Sequence, residues 1–233
     1  MALSKRYKSN VQKIDRVKRY DVDEAIGVIL ETATAKFDES IDVAIRLGVD
    51  PKQSDQQVRG AVSLPNGLGK KVRVLVFAKG EKETEAKNAG ADFVGAEDLI
   101  TKIQGGWLDF DKALATPDMM GVVSKVARVL GPRGLMPNPK VGTVTFDIGK
   151  AVEAEKKGKL AFRVEKEGIV HATIGKKSMG QTALKENFLS FLGAIMKAKP
   201  ATSKGVYLRT VAMAATMGPG VKLDPNKAQG QIS

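Results

Sequence analysis

The chain has 233 residues, 42% of them hydrophobic and 27% charged, with no cysteine and a single histidine. That inventory leaves no disulfide framework, thiolate metal site or histidine cluster, and no apolar run approaches the roughly 20 residues of a membrane-spanning helix. Lys and Arg outnumber Asp and Glu by 38 to 26, a net charge of +12, so the expected partner is a polyanion. Nucleic acid is favoured over anionic membrane, because no long basic amphipathic helix is present. The basic N-terminus is not followed by an apolar segment, so no secretory signal is expected and a cytoplasmic location fits.

Residues 1–20 carry seven cations against Asp15, a net of +6; residues 21–68 come to −5, 69–158 to +3 and 159–233 to +8. Asp21 and Glu24 predict a capping box, opening a helix whose apolar face holds Ile26, Ile29, Leu30 and Ala33. Strict alternation of Ile41, Val43, Ile45 and Leu47 with Ser40, Asp42, Ala44 and Arg46 predicts a strand buried on one face. A second strand is expected over Gln57–Leu64, followed by a linker at Pro65–Gly69.

The pattern then changes. Val72–Phe77 is a nearly continuous apolar run, as in a strand covered on both sides. A helix over Glu81–Asn88, a strand at Ala91–Val94, a helix over Glu97–Ile103 and a short strand at Lys112–Thr116 follow. Pro117 suits a first helical turn, and the helix it opens is expected to run to Gly131. Strand and helix alternate through this region, which argues for an α/β layer domain with a largely parallel sheet. Beyond Gly158 the alternation at Leu160–Val164 and Val170–Ile174 predicts a hairpin turning at Glu165–Gly168. A helix over Gln181–Ala198, a strand from Gly205 towards Ala215 and a turn at Gly218–Gly220 complete the chain. The two ends share a patterning that the centre lacks, so a central domain inserted into an end-built one is compatible with the sequence, as are three serial modules.

No catalytic constellation is found. His171 lies in the middle of a predicted strand, and Gly67–Gly69 precedes a strand where a dinucleotide loop follows one. Neither Gly69-Lys70 nor Gly175-Lys176 has the surrounding residues of a phosphate loop. Aromatic residues are only 5% of the chain, and no strand offers the stacking platform of a common RNA-recognition module. RNA binding here would use shape, phosphate contacts and a few placed side chains.

Several motifs carry a resemblance. The segment 119–140 (MMGVVSKVARVLGPRGLMPNPK) resembles the signature of the L-one family of large-subunit ribosomal proteins, in its bacterial form. Thr34–Glu39 (TAKFDE) and Thr216–Pro219 (TMGP) resemble the family's two RNA-facing motifs. Asp55–Gly60 (DQQVRG) and Leu64–Lys70 (LPNGLGK) extend the likeness over nearly the whole chain. The resemblance implies an α/β (α+β) fold of two domains. Domain one, residues 1–68 plus 159–233, would be a discontinuous antiparallel-sheet sandwich that binds RNA, and domain two, residues 69–158, an inserted Rossmann-like three-layer domain. The end-built domain would carry +9 of the net charge.

The resemblance further implies a structural ribosomal protein with no enzymatic activity, cofactor, metal or membrane. Its partners would be large-subunit ribosomal RNA of the mobile stalk, exit-site tRNA leaving the ribosome, and the protein's own messenger, which it would repress. Carried onto this sequence, the RNA-facing residues are Lys36 and Phe37, expected to end the first helix, and Thr216, Met217 and Gly218 after the last strand. Ser40, His171, Thr173 and Thr210 are expected on the same surface from their strand positions. The Gly131–Gly134 loop is expected to make a structural or interdomain contact. The basic tail 1–20 is read equally well as an RNA contact or a solvated arm.

Overall fold

Side-chain caps and apolar spacing set the first elements. In the computed structural model, which describes residues 4–232, Ser4 caps helix α1 (Lys5–Gln12) by accepting the Tyr7 N–H. Helix α2 (Val22–Thr32) follows, with Asp21 accepting the Val22 N–H and Ala25, Ile26 and Ile29 fully buried. The buried Asn10 amide of α1 donates to the Thr32 carbonyl at 2.7 Å and to Thr34 Oγ1 at 3.2 Å. The Ala35 N–H is taken by Glu39. With that carbonyl and that N–H both engaged by side chains, the helix stops at Thr32. Lys36 and Phe37 therefore lie in a loop rather than in the helix expected from sequence.

Strand β1 (Ser40–Leu47) buries its odd-numbered apolar residues and turns Ser40, Asp42, Ala44 and Arg46 outward. A 3₁₀ turn at Ser54–Gln56 leads to β2 (Arg59–Ser63). Strand β3 (Val74–Phe77) is buried on both faces. Helix α3 (Glu81–Asn88), β4 (Phe93–Gly95), α4 (Glu97–Gln104) and β5 (Lys112–Ala115) follow. The single helix expected from Pro117 to Gly131 is broken into short pieces. 3₁₀ turns at Pro117–Met119 and Ser124–Val126 alternate with α5 (Met120–Val123) and α6 (Ala127–Leu130). Ser124 Oγ donates to the Gly121 carbonyl three residues back at 2.6 Å, and Gly121 adds no side chain to stiffen the turn, so the α ladder does not propagate. Helix α7 (Ile148–Lys156) ends this region.

Strands β6 (Lys159–Arg163) and β7 (Ile169–Lys176), helix α8 (Gly180–Lys197), β8 (Leu208–Ala215), β9 (Val221–Leu223) and α9 (Pro225–Gly230) complete the chain. The expected hairpin of β6 and β7 exists only at its tip. Val164 bridges Val170, and the Glu165 N–H donates to the Ile169 carbonyl. Beyond the tip β6 pairs with β2 and β7 with β1.

Two compact units result, Met1–Gly69 with Leu160–Ser233 and Lys70–Lys159. In the first, a four-stranded antiparallel sheet of order β7-β1-β8-β9 carries α2 and α8 on one face. Helix α8 buries Leu184, Phe188, Phe191, Leu192 and Ile195 in that core, each contributing roughly 1.5–3 kcal/mol of transfer free energy. The opposite face of the sheet is left uncovered by helices. In the second unit β4-β3-β5 form a parallel sheet covered on both sides. Leu75 and Phe77 pack with Leu99, Ile103, Val126 and Leu130, whereas Val74 and Val76 pack with Ala86, Ile148 and Val152. This is a three-layer α/β arrangement. Where the chain passes from one unit to the other, Gly67, Gly69 and Gly158 have positive φ, which favours glycine.

Candidate nucleic-acid interface

The uncovered face of the four-stranded sheet gathers most of the residues singled out in the sequence. Cross-strand register sets three rows. Thr173, Asp42 and Ala214 form the first, His171, Ala44, Ala212 and Lys222 the second, and Ile169, Arg46 and Thr210 the third. Alternation puts these side chains outside because their sequence neighbours fill the core. The middle of the face is floored by Ala44, Ala212 and Ala214, so a flat or ridged partner can approach the backbone closely. Thr173 Oγ1 donates to Asp42 Oδ1 at 2.5 Å, and His171 Nε2 lies 3.7 Å from Glu165 Oε2.

One end of this face is closed by two loops, residues 33–39 and 216–220. Phe37 is 54% exposed and Met217 48% exposed, so neither is a core residue. Lys36 is exposed and has no hydrogen bond or ion pair among the described residues. Glu39, only 1% exposed, holds both loops. Its Oε1 accepts the Ala35 N–H at 2.7 Å and its Oε2 the Met217 N–H at 2.9 Å. The far side of the first loop is pinned by Ser178, whose N–H and hydroxyl both donate to Asp38 at 3.0 and 2.7 Å. Those bonds lower the Asp38 pKa from its usual value. Lys177 Nζ donates to the Ala33 carbonyl at 2.5 Å.

Thr216 is bound to Ser40. Its Oγ1 accepts the Ser40 N–H at 3.0 Å and donates to the Ser40 carbonyl at 3.2 Å, and the Thr216 N–H donates to that same carbonyl at 3.0 Å. The hydroxyl proton is thus committed within the chain, and the oxygen keeps a lone pair for an outside donor such as a ribose hydroxyl. At Gly218 a Cβ would meet the Ala215 Cβ at 3.3 Å, so the tight contact that glycine permits there is with the chain itself.

Sequence reasoning passed over Glu39 and Asp42. Glu39 stands in a polar stretch with nothing to mark it as buried, and Asp42 occupies an ordinary outward position of an alternating strand. The Gly131–Gly134 loop belongs to the central unit. Its Gly134 N–H donates to Gly131 and its Leu135 N–H to Leu130, and Leu135 and Met136 pack on the core, which is a structural role. Among the described residues no group of three or more His, Asp or Glu is placed to hold a metal ion, and no helix is long and apolar enough to cross a membrane.

An uncovered sheet face with a rim of cations and pinned polar loops, on a basic chain, is the form of a nucleic-acid-binding protein. The chain belongs to the Ribosomal protein L1p/L10e family, whose model matches residues 29–219. It is 70% identical over 224 residues, 96% of each chain, to the large ribosomal subunit protein uL1 of Bdellovibrio bacteriovorus. Membership in that family makes it a structural protein of the ribosome, not an enzyme, and places it on the ribosome in the cytoplasm.

Proposed function

We propose that this chain, a constituent of the large ribosomal subunit, holds the ribosomal RNA of the mobile stalk through its end-built unit. The RNA lies on the uncovered sheet face and against the loops 33–39 and 216–220. Lys36 takes phosphate, Phe37 and Met217 supply apolar walls for ribose or base, and Ser40, His171, Thr173, Thr210, Thr216 and Gly218 line the surface between. The observation that carries this reading is the pair of exposed apolar side chains, Phe37 and Met217, on loops fixed by one buried carboxylate. Folding alone gives no reason to hold exposed apolar residues in place. A preset surface loses less conformational freedom when it binds.

Phosphate contacts position an RNA, but discrimination comes from close contacts to bases and ribose. The sharpest test is competition between stalk RNA and an unrelated duplex of equal length, for the unchanged chain and for Phe37→Ala. Loss of the preference, with binding to the unrelated duplex unchanged, supports the assignment; a preference that survives removes it. The same surface would serve the protein's own messenger, whose translation we propose it represses, and movement of the bound stalk would assist release of exit-site tRNA. Repression is tested by adding the protein to translation reactions programmed with its own messenger.

A further inference from the structure

At the end of the sheet face remote from these loops lies a cleft of about 460 Å³, lined by Arg16, Val17, Arg19, Arg209, Thr210 and Lys222 among others. Two of its walls come from β8 and β9, and the third is the segment 15–19, which the sequence left as either an RNA contact or a solvated arm. It is a fixed arch. Ile14 and Tyr20, each 7% exposed, anchor its ends in the core. The Tyr20 N–H donates to the Lys222 carbonyl at 2.9 Å, the Asp224 N–H donates to the Tyr20 carbonyl at 3.0 Å, and the Tyr20 hydroxyl accepts the Asp15 N–H at 2.9 Å.

The four cations of this cleft have no ion pair among the described residues. The nearby carboxylates are already engaged. Asp15 accepts the Val17 and Lys18 N–H groups, Glu24 pairs with Lys18 at 3.0 Å, and Asp224 caps α9. Unpaired guanidinium groups on an ordered arch repel one another, and folding gains nothing from gathering them. Val17, at the crest, is 90% exposed, which folding does not explain either.

We propose that the arch 15–19 and strands β8 and β9 form a second RNA contact, in which Arg16, Arg19, Arg209 and Lys222 grip phosphates of the strand that crosses the sheet face from the loop site. This rests on the reading above that RNA lies on that face. Thr210 and Thr216 sit six residues apart on and just beyond β8, a span of about 20 Å at ~3.3 Å per residue, so one RNA segment can reach both. Guanidinium groups suit phosphate because their planar donors engage two oxygens at once. Val17 offers an apolar surface for the adjoining ribose. The contact reads no sequence; it adds affinity and fixes the direction in which the RNA leaves the loops.

The test is filter retention of a stalk ribosomal RNA fragment by the full chain at several salt concentrations. The variants are R16Q/R19Q and R16Q/R19Q/R209Q/K222Q, beside two controls in the central unit that lose the same two and four charges, K102Q/K150Q and K79Q/K102Q/K125Q/K150Q. Glutamine keeps the side-chain stems, and circular dichroism checks the fold. Each lost phosphate contact lowers the slope of log K against log salt by roughly 0.7–0.9. The double variant is expected to lose about 1.5 and the fourfold variant about 3, stalk and unrelated RNA weakening in parallel, with the controls unchanged. Slopes equal to the controls' overturn the proposal. So does a variant that keeps its RNA slope but loses binding to vesicles containing anionic lipid, which would make the cleft a membrane contact. Failure of the unchanged chain to prefer stalk RNA sinks the earlier reading instead, and is seen in the same experiment without any variant.

Discussion

The buried carboxylate of Glu39 accepts the backbone N–H of Met217, 178 residues away in sequence, at 2.9 Å. Its other oxygen holds Ala35, so one side chain sets the spacing of both loops. Glu39→Ala leaves two backbone donors without their acceptor at a cost of about 1–3 kcal/mol. The expected outcome is lower thermal stability, faster hydrogen exchange at the Ala35 and Met217 amides, and weaker stalk-RNA binding. Unchanged exchange at both amides counts against a positioning role.

Phe37 and Met217 separate stability from binding. Both are about half exposed, so alanine at either position should shift stability by no more than about 0.5 kcal/mol. RNA affinity should nevertheless fall tenfold to a hundredfold, ~1.4–2.8 kcal/mol. Denaturant melts and binding isotherms on the same preparations check this. A large stability loss would mean that these side chains serve the fold.

Thr216→Val removes a hydroxyl that makes two bonds to Ser40. A net cost of about 0.5–1.5 kcal/mol per hydrogen bond is expected in stability, accompanied by weaker RNA binding as the loop loosens. Thr216→Ser keeps the hydroxyl and should restore both. Loss in Thr216→Ser with Thr216→Val unchanged would assign the role to the methyl group.

In the central unit, Asp111 accepts Lys70 Nζ at 2.9 Å and the Arg73 N–H at 3.1 Å, and these donors, Lys70 foremost, hold its pKa down at about 2 against an ordinary 3.8. A depressed folded-state value contributes stability that is fully present above the unfolded value and lost as pH falls from about 4 through 2. Asp111→Asn should lower the melting temperature of the central unit at pH 7. The difference from the unchanged chain should shrink as pH drops through that window and vanish below it. A difference independent of pH would mean that the ion pair contributes nothing.

Most of the architecture was legible because alternation and helical spacing report burial directly. β1 announced its two faces, and the all-apolar β3 announced a sheet covered on both sides. Elements whose burial is mostly non-local were not legible. The three-residue β9 exists because Tyr20 and β8 flank it, α1 is held by a buried asparagine, and the helix expected after Pro117 breaks beside a side-chain bond, from Ser124 to Gly121, that no periodicity encodes. The two loops proposed to face RNA could be named from their motifs, but their fixing by Glu39 could not, since a glutamate between Asp38 and Ser40 looks solvated. The cations of the arch count in the sequence as part of a basic tail, and only the fold brings Arg16 and Arg19 beside Arg209 and Lys222, far along the chain.

The central claim is that the end-built unit, and not the inserted one, holds the RNA. Residues 1–67 joined to 159–233 keep +9 of the +12 net charge together with every residue assigned to the surface. Filter retention of stalk ribosomal RNA by that joined chain, by residues 69–158 and by the full chain tests the claim most directly. Affinity of the joined chain within about tenfold of the full chain, ~1.4 kcal/mol, with none for the central unit, is the expected result. Binding by the central unit as tight as that of the full chain, with the joined ends inert, would contradict it.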